Sequence, residues 1–494
     1  MTTRQLFVVI FFLALVVMPL RETTDPDLGW HLATGEYVLT QGIPTSDPFS
    51  FTRFGEFWTA HEWLTDVIMA LIVRAVGLPG LIVFYAGVIA LTFGLVYARS
   101  DGQPYLAAFV VLLAALVSGI TWGARPQMIN LLGMAFFTWV IEGVRVKQLR
   151  WRALWLLPLG SALWANLHSG YLVGVVLVAV YAVGEVLTLL TPGLFGRDDG
   201  RALGWPGVKW LGGTAVACLL AAAANPQGVF LWIYPFFTLG SGAMQTYIQE
   251  WQSPNFQFFP FWPFAGLLGL GVLTWLVSGR KPTWTDLLLF GGTGLAGLWS
   301  ARHVSLFAVV AAPVVLRALT PWLRNVLAST PLRPLVYPEA APSTTPLLKG
   351  VNIVVFVVLV GLGGLQLVNV VQRNEAAMAR VFPVAAVDYL IDSGLADQPG
   401  WNSYNWGGYL IWRGIPVFVD GRADVYYDEF LLYYLQTFQA QPGWEIPLND
   451  YSVGWVLTET GNPLATVLTL SPAWESAYSD GQADIFVRVN EYGE

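Results

Sequence analysis

Charge is what this chain has least of. Only 12% of its 494 residues are Asp, Glu, Lys or Arg, about half of the roughly 25% that a soluble globular domain carries. With 55% hydrophobic residues it has more apolar surface than one core can shield from water, so the solvent that hides that surface is a bilayer. Its single cysteine, Cys218, lies in an apolar run, which excludes a disulfide within the chain and leaves the redox compartment unread. No block of basic residues reads as a nucleic-acid surface, so nucleic acid is not an expected partner, and a net charge of −7 is too modest to name another. No phosphate loop, dinucleotide fingerprint or nucleophile elbow occurs, which argues against nucleotide-using enzymes of the usual kinds.

Long apolar runs are present in place of charge. Window hydropathy gives about eleven spans, at residues 5–20, 80–98, 105–121, 128–144, 153–168, 171–190, 209–225, 258–278, 284–300, 303–319 and 350–371. Helices are the expected spanning form, because lipid offers no hydrogen-bond partner to loose backbone groups. The first run follows Arg4 and is followed by Arg21-Glu22-Thr23-Thr24 without a small-residue cleavage pattern, so a retained span is expected rather than a cleaved signal. Residues 62–77 are also apolar but carry Asp66 and Arg74; an amphipathic helix lying in the interface is expected there.

Charge placement supports that assignment. With the N-terminus inside, the inner loops receive 15 of the 25 basic residues: Arg4, Arg99, Arg145, Lys147, Arg150, Arg152, Arg197, Arg201, Lys209, Arg280, Lys281, Arg317, Arg324, Arg333 and Lys349. The outer loops receive only Arg21, Arg53, Arg74, Arg125 and Arg302. This obeys the positive-inside rule. Were 62–77 a span, the basic cluster at 145–152 would face out.

The expected fold class is therefore mainly α, a polytopic helical protein of the cytoplasmic membrane with its N-terminus inside. Residues 1–371 form the transmembrane domain, with a first outer loop at 21–79 and a Pro-rich inner linker at 321–349 that contains Pro321, Pro331, Pro334, Pro338, Pro342 and Pro346. Residues 372–494 read as a small extracytoplasmic α/β domain. Within the tail, 383–393 is helix-like, 407–412 strand-like, Val417-Phe418-Val419 a buried strand, 428–439 helix-like and Val453 to Leu457 strand-like; a helix and a hairpin at 474–489 close the chain.

Candidate chemistry gathers in the first outer loop, from Asp25-Pro26-Asp27-Leu28-Gly29-Trp30-His31 to Trp58-Thr59-Ala60-His61-Glu62-Trp63. Carboxylates just beyond a span end are tolerable where water reaches them. Asp27 could be the N-cap of a helix starting at Leu28, or a general base that deprotonates an acceptor hydroxyl, and the two roles are compatible. Asp25 is its reserve. His31 shares a helix face with Asp27, and His61-Glu62 sits at the far end of the loop. Together these could hold a divalent metal, although the spacing matches no recognised metal motif. Hydrogen bonding is the simpler use, and no other cofactor is expected.

Arg125 and Arg302 are the only basic residues at outer span ends in the later membrane region. Arginine at such depth is costly and is usually paired or functional, and its fork suits phosphate; snorkelling to headgroups is the plainer reading. Asn166-Leu167-His168-Ser169-Gly170 reads as a helix-to-helix connector with a polar patch. Glu250-Trp251-Gln252 marks an aromatic outer loop, whose Trp and Tyr fit an interfacial belt. In the tail, Asn402 to Tyr409 is densely polar, and Asp420-Gly421-Arg422-Ala423-Asp424 reads as an ordinary turn.

One span, an acidic outer loop ending in an interfacial helix, many further spans and an outer C-terminal domain together resemble the GT-C glycosyltransferases, the protein O-mannosyltransferase and aminoarabinose transferase type. The chain also resembles a subgroup of bacterial membrane proteins with Trp-His-Leu-x-Thr-Gly (30–35), Asp-Pro-Phe-Ser (47–50) and Tyr-Asn-Trp-Gly-Gly-Tyr-Leu (404–410). With Gly42 and Pro44 downstream, the resemblance implies that Asp27 is the catalytic aspartate. It also implies that His61-Glu62-Trp63-Leu64 begins the interfacial helix and that Arg125 is the outer arginine before span four. The pair here is Asp-Pro-Asp rather than Asp-Glu, and His168-Ser169-Gly170 stands where the family has a Lys-Gly turn.

The expected activity is transfer of a sugar from a polyprenyl-phosphate donor to an acceptor glycan, lipid or protein at the outer membrane surface. Asp27, with Asp25 behind it, would be catalytic; Arg125, Arg302, His61, Glu62, His31 and His168 would bind donor phosphate or substrate. The alternative is a non-catalytic transport or assembly component for envelope glycans, flippase- or ligase-like, which would need a polar path through the bilayer.

Overall fold

Backbone that cannot reach water must bond to itself, and the apolar runs do so as helices. The computed structural model describes residues 1–100, 104–196, 200–337 and 344–489; Arg197, Pro338 and Pro342 lie outside them. In chain order the helices begin with α1 (Thr3–Val17), α2 (Leu28–Gln41), α3 (Trp63–Val76), α4 (Leu78–Ala98), α5 (Pro104–Ser118), α6 (Met128–Arg145) and α7 (Leu156–Leu167). Then come α8 (Tyr171–Leu190), α9 (Gly204–Ala222), α10 (Tyr234–Gly240), α11 (Gly242–Tyr247), α12 (Trp262–Ser278), α13 (Trp284–Trp299), α14 (Val304–Leu327) and α15 (Pro346–Val381). The C-terminal domain adds α16 (Val384–Asp392), α17 (Gly407–Trp412), α18 (Ala423–Phe438), α19 (Glu445–Asp450) and α20 (Pro463–Leu470). Its strands are β1 (Gly400–Asn402), β2 (Trp455–Glu459), β3 (Trp474–Ser479) and β4 (Ala483–Arg488).

Each of the eleven apolar runs is a helix. Seven, those containing α4, α5, α6, α8, α12, α14 and α15, are long and apolar enough to cross a membrane. The other four, α1, α7, α9 and α13, are shorter or less apolar, and the expected count of eleven crossings rests on them. The protein is a polytopic helical membrane protein. Helix α14 is its hub, packing on α5, α6, α12 and α13, with its Phe307 against Phe264 of α12 and Phe290 of α13. Outward faces, such as Val354, Val357, Leu362 and Leu365 of α15, are apolar and exposed, as lipid contact requires.

Two boundaries differ from the sequence reading. Helix α14 continues through Pro321 to Leu327, so the irregular part of the expected 321–349 linker starts later. Helix α15 runs unbroken to Val381, so residue 371 lies inside it rather than at a domain edge.

The C-terminal sheet has the order β1-β2-β4-β3, with β1 parallel to β2 and β4 antiparallel to both of its neighbours. Residues 407–412, expected as a strand, form α17. Gly407, Gly408, Tyr409, Leu410 and Ile411 are all buried, and a short run buried all round carries no period that separates strand from helix. The glycines matter here: a Cβ on Gly29 would lie 2.1 Å from the Gly408 carbonyl oxygen, so α2 and α17 cross backbone to backbone. Val417-Phe418-Val419 is buried as expected, but it joins no sheet and bridges Val417 to Ser50 of the first loop.

The first loop is built into the C-terminal domain. Trp30 and Trp58 belong to the same apolar cluster as Trp401, Trp455 and Ile485. At its heart Arg422 donates to both Asp420 oxygens at 2.8 and 2.7 Å and to Asp47 of the loop at 2.6 Å, with its guanidinium 4.7 Å from the Trp58 ring centre. The three charged groups are buried.

Candidate active site

Where the first loop, the span ends and the C-terminal domain meet, they enclose a cavity of about 1130 Å³. One end is ionisable: Asp25, Asp27, His31, His61, Glu62, Arg125, His168, Glu250 and Arg302 all line it. The other end is hydrocarbon, walled by Leu131 and Met134 of α6, Leu172, Val176, Leu177 and Val180 of α8, and Leu288, Leu289 and Ala296 of α13. Tyr404, Asn405, Gly421, Asp424 and Glu459 of the C-terminal domain close the polar end.

Asp27 holds the N-cap position of α2 but makes no capping bond. Its Oδ1 instead accepts from the Trp30 indole at 3.1 Å, and its backbone N–H donates to Asp25 Oδ1 at 3.0 Å. Its side chain stays 26% exposed towards the cavity. Burial, followed by the nearby Asp25 charge, pushes the Asp27 carboxyl up to about 7, against the pull of Arg125. Burial also raises Asp25. A carboxylate poised near neutrality within reach of a substrate is suited to general-base work.

Arg125 and Arg302 have different surroundings. Arg125 pairs with Glu250 at 2.5 Å, Asp25 at 3.5 Å and Asp27 at 3.9 Å. Burial disfavours its charge, but Asp25, Glu250 and Asp27 more than compensate. Arg302 has neither hydrogen bond nor ion pair among the described residues; its guanidinium lies 5.0 Å from the Trp251 ring centre. It is therefore a cation with its donors available.

Glu62 is bracketed by histidines. Its Oε1 takes His168 Nε2 at 3.0 Å and His61 Nε2 at 3.2 Å, while Oε2 faces His31 Nδ1 at 3.6 Å. Burial pushes the Glu62 carboxyl up, but His168 and His61 pull harder and hold it well below the ordinary range. Burial lowers His31 to about 3, so it is neutral, and burial with the Glu62 charge raises Asp66 well above the usual range. His31 Nδ1 lies 2.7 Å from Asp66 Oδ1, within hydrogen-bond distance. The donor atoms of His31, Glu62 and Asp66 lie within 4.8 Å of one another, and Glu62 Oε2 is turned away from the other two histidines. That set fits a divalent ion with three protein ligands and an open position.

All eight residues singled out by sequence line this one cavity, although they come from five separate segments. Sequence reasoning passed over Asp66, treated as a charge on an amphipathic helix. It also passed over Glu250, Tyr234 and Asp424. Tyr234 donates to Asp424 at 3.0 Å and packs on His61 with ring centres 4.6 Å apart. The Asp420–Asp424 segment, read as an ordinary turn, supplies the cavity wall beside Asp27; its Asp-Gly was the available signal, and it is too common to be specific. His168-Ser169-Gly170 forms the turn between α7 and α8, and all three residues line the cavity.

No family model and no curated protein sequence matches the chain. Solved structures do. The oligosaccharyltransferase of Archaeoglobus fulgidus, tethered with an acceptor peptide, aligns over 92% of this chain and 68% of its own, with TM-score 0.56 at 11% identity; it has also been solved in complex with Zn and sulfate. ArnT from Cupriavidus metallidurans, an aminoarabinose transferase, bound to undecaprenyl phosphate, aligns over 98% of this chain and 97% of its own, with TM-score 0.51 at 14% identity. The chain has the fold of these GT-C membrane enzymes.

Proposed function

We propose that the protein is a membrane glycosyltransferase that moves a sugar from a polyprenyl-phosphate donor to an acceptor hydroxyl at the outer face of the cytoplasmic membrane. The observation that carries this reading is the two-ended cavity. An ionisable end continues into a hydrocarbon-walled end between α6, α8 and α13, the shape a phosphate-headed polyprenyl chain needs. The fold shared with two lipid- or peptide-bound transferases supports the same class.

In this mechanism Asp27 accepts the acceptor's proton as its oxygen attacks the anomeric carbon. The bond from that carbon to the phosphate oxygen breaks, and the polyprenyl phosphate leaves as an anion. Such a leaving group needs a fixed cation more than a general acid. Arg302, with its donors free, takes that role; Arg125 organises Asp25, Asp27 and Glu250. If a divalent ion is used, His31, Glu62 and Asp66 would hold it, where it would supply Lewis-acid stabilisation of negative charge. His61 and His168 position Glu62.

The test is to incubate purified protein with a panel of polyprenyl-phosphate sugars and follow the release of free polyprenyl phosphate. Release with one donor class supports transfer. Binding without release from any donor would turn the reading towards the transport or assembly component.

A further inference from the structure

At the opposite ends of the same spans there is a second, smaller cavity, of about 200 Å³, lined by Arg99, Trp139, Glu142, Gln148, Arg201 and Arg317. The arginines that sequence reading assigned to separate inner loops come together here. Most are matched. Arg145 pairs with Glu142 at 3.0 Å and Glu185 at 3.6 Å, and Arg201 with Glu142 at 3.4 Å. Arg317 pairs with Asp286. Tyr181 donates to Glu142 at 2.9 Å, and the backbone N–H groups of Leu203 and Gly204 donate to Glu185.

Arg99, which caps the C-terminal end of α4, differs. Its Nε, Nη1 and Nη2 are all buried, and none has a hydrogen-bond partner among the described residues. Three desolvated donors on a permanent cation are expensive to leave unmatched. Arg99 thus brings to this cavity buried donors that no described residue accepts.

We propose that this cavity is a binding site for a phosphate group, held by the fork of Arg99. A guanidinium offers the planar, paired donors that phosphate oxygens accept. The volume would hold roughly seven waters at about 30 Å³ each, enough for a phosphate head with part of its hydration but not for a sugar nucleotide. The group could be the phosphodiester of an anionic lipid entering from the adjacent leaflet or free inorganic phosphate. The site is independent of the reading given to the larger cavity.

Native mass spectrometry of the purified full chain separates these sources. Wild type, Arg99→Gln and Arg99→Lys are titrated with phosphatidylglycerol, with phosphatidylcholine and with inorganic phosphate. The expected result is one retained phosphatidylglycerol, with affinity falling about tenfold or more in Arg99→Gln, the scale of a lost charge-assisted hydrogen bond, and phosphatidylcholine binding unaffected. Arg99-dependent retention of inorganic phosphate without the lipid assigns the same site to the free ion. Arg99→Lys keeps the charge and loses the fork, so it gives the answer if Arg99→Gln does not fold. Binding of both anions at wild-type strength in whichever variant folds, or binding of neither to wild type, overturns the proposal and leaves a water-filled pocket.

Discussion

A Cβ built on Gly421 would fall 1.8 Å from the Oδ1 of Asp27. The carboxylate of the first loop is thus seated against bare backbone of the C-terminal domain, 394 positions along the chain. Seat and carboxylate are held in register by the Arg422 fork between Asp420 and Asp47, so the C-terminal domain helps to fix the position of the Asp27 carboxylate.

Gly421→Ala should therefore act on catalysis through Asp27. A methyl group in that space must displace the carboxylate, and displacement of about 1 Å can cost on the order of 100-fold in rate. Steady-state kinetics should show kcat falling by at least about tenfold, with donor affinity nearly unchanged.

The pH dependence follows from the raised Asp27 carboxyl. Only the ionised form accepts a proton, so kcat/KM should fall as pH drops below about 7 and level off above it. Asp25 is one of the groups that push Asp27 up. In Asp25→Asn the midpoint should move to lower pH. A pH–rate profile of both proteins checks the sign.

Arg302→Gln removes a cavity cation that rests on the Trp251 ring and has no hydrogen bond or ion pair among the described residues. Losing one preorganised donor to a developing anion costs roughly 100- to 1000-fold in kcat. Arg302→Lys should recover part of that loss, because charge survives although the fork does not. Initial rates with saturating donor measure both.

Arg422→Leu should destabilise the protein by about 3–5 kcal/mol, the penalty for stranding buried partners of an ion pair; here Asp420 and Asp47 are both left without it. Thermal unfolding in detergent should show the drop. Proteolysis of the first loop should rise with it, since Asp47 is that loop's charged tie to the C-terminal domain.

Membrane architecture was legible in the sequence because lipid imposes one solution on a long apolar run. The first-loop residues were legible too, since Asp25, Asp27, His31, His61 and Glu62 stand out in a chain so poor in charge. What the far end of the chain contributes was not. Asp420-Gly421 looks like any turn, and only the fold brings Gly421 against residue 27. The 407–412 segment differs for a related reason: buried on all sides, it shows no period, and its close backbone partner, Gly29, lies in α2. Arg125 and Arg302 look equivalent in the sequence as outer arginines, and only three-dimensional packing gives one of them carboxylates and the other the face of Trp251.

The central claim is that the Asp27 carboxylate takes the acceptor's proton. The most direct measurement is release of free polyprenyl phosphate from the preferred donor by purified Asp27→Asn beside wild type, with donor binding followed in parallel. The account predicts turnover by wild type and none by the variant, at matching expression and donor affinity. Turnover by Asp27→Asn at the wild-type rate would contradict it.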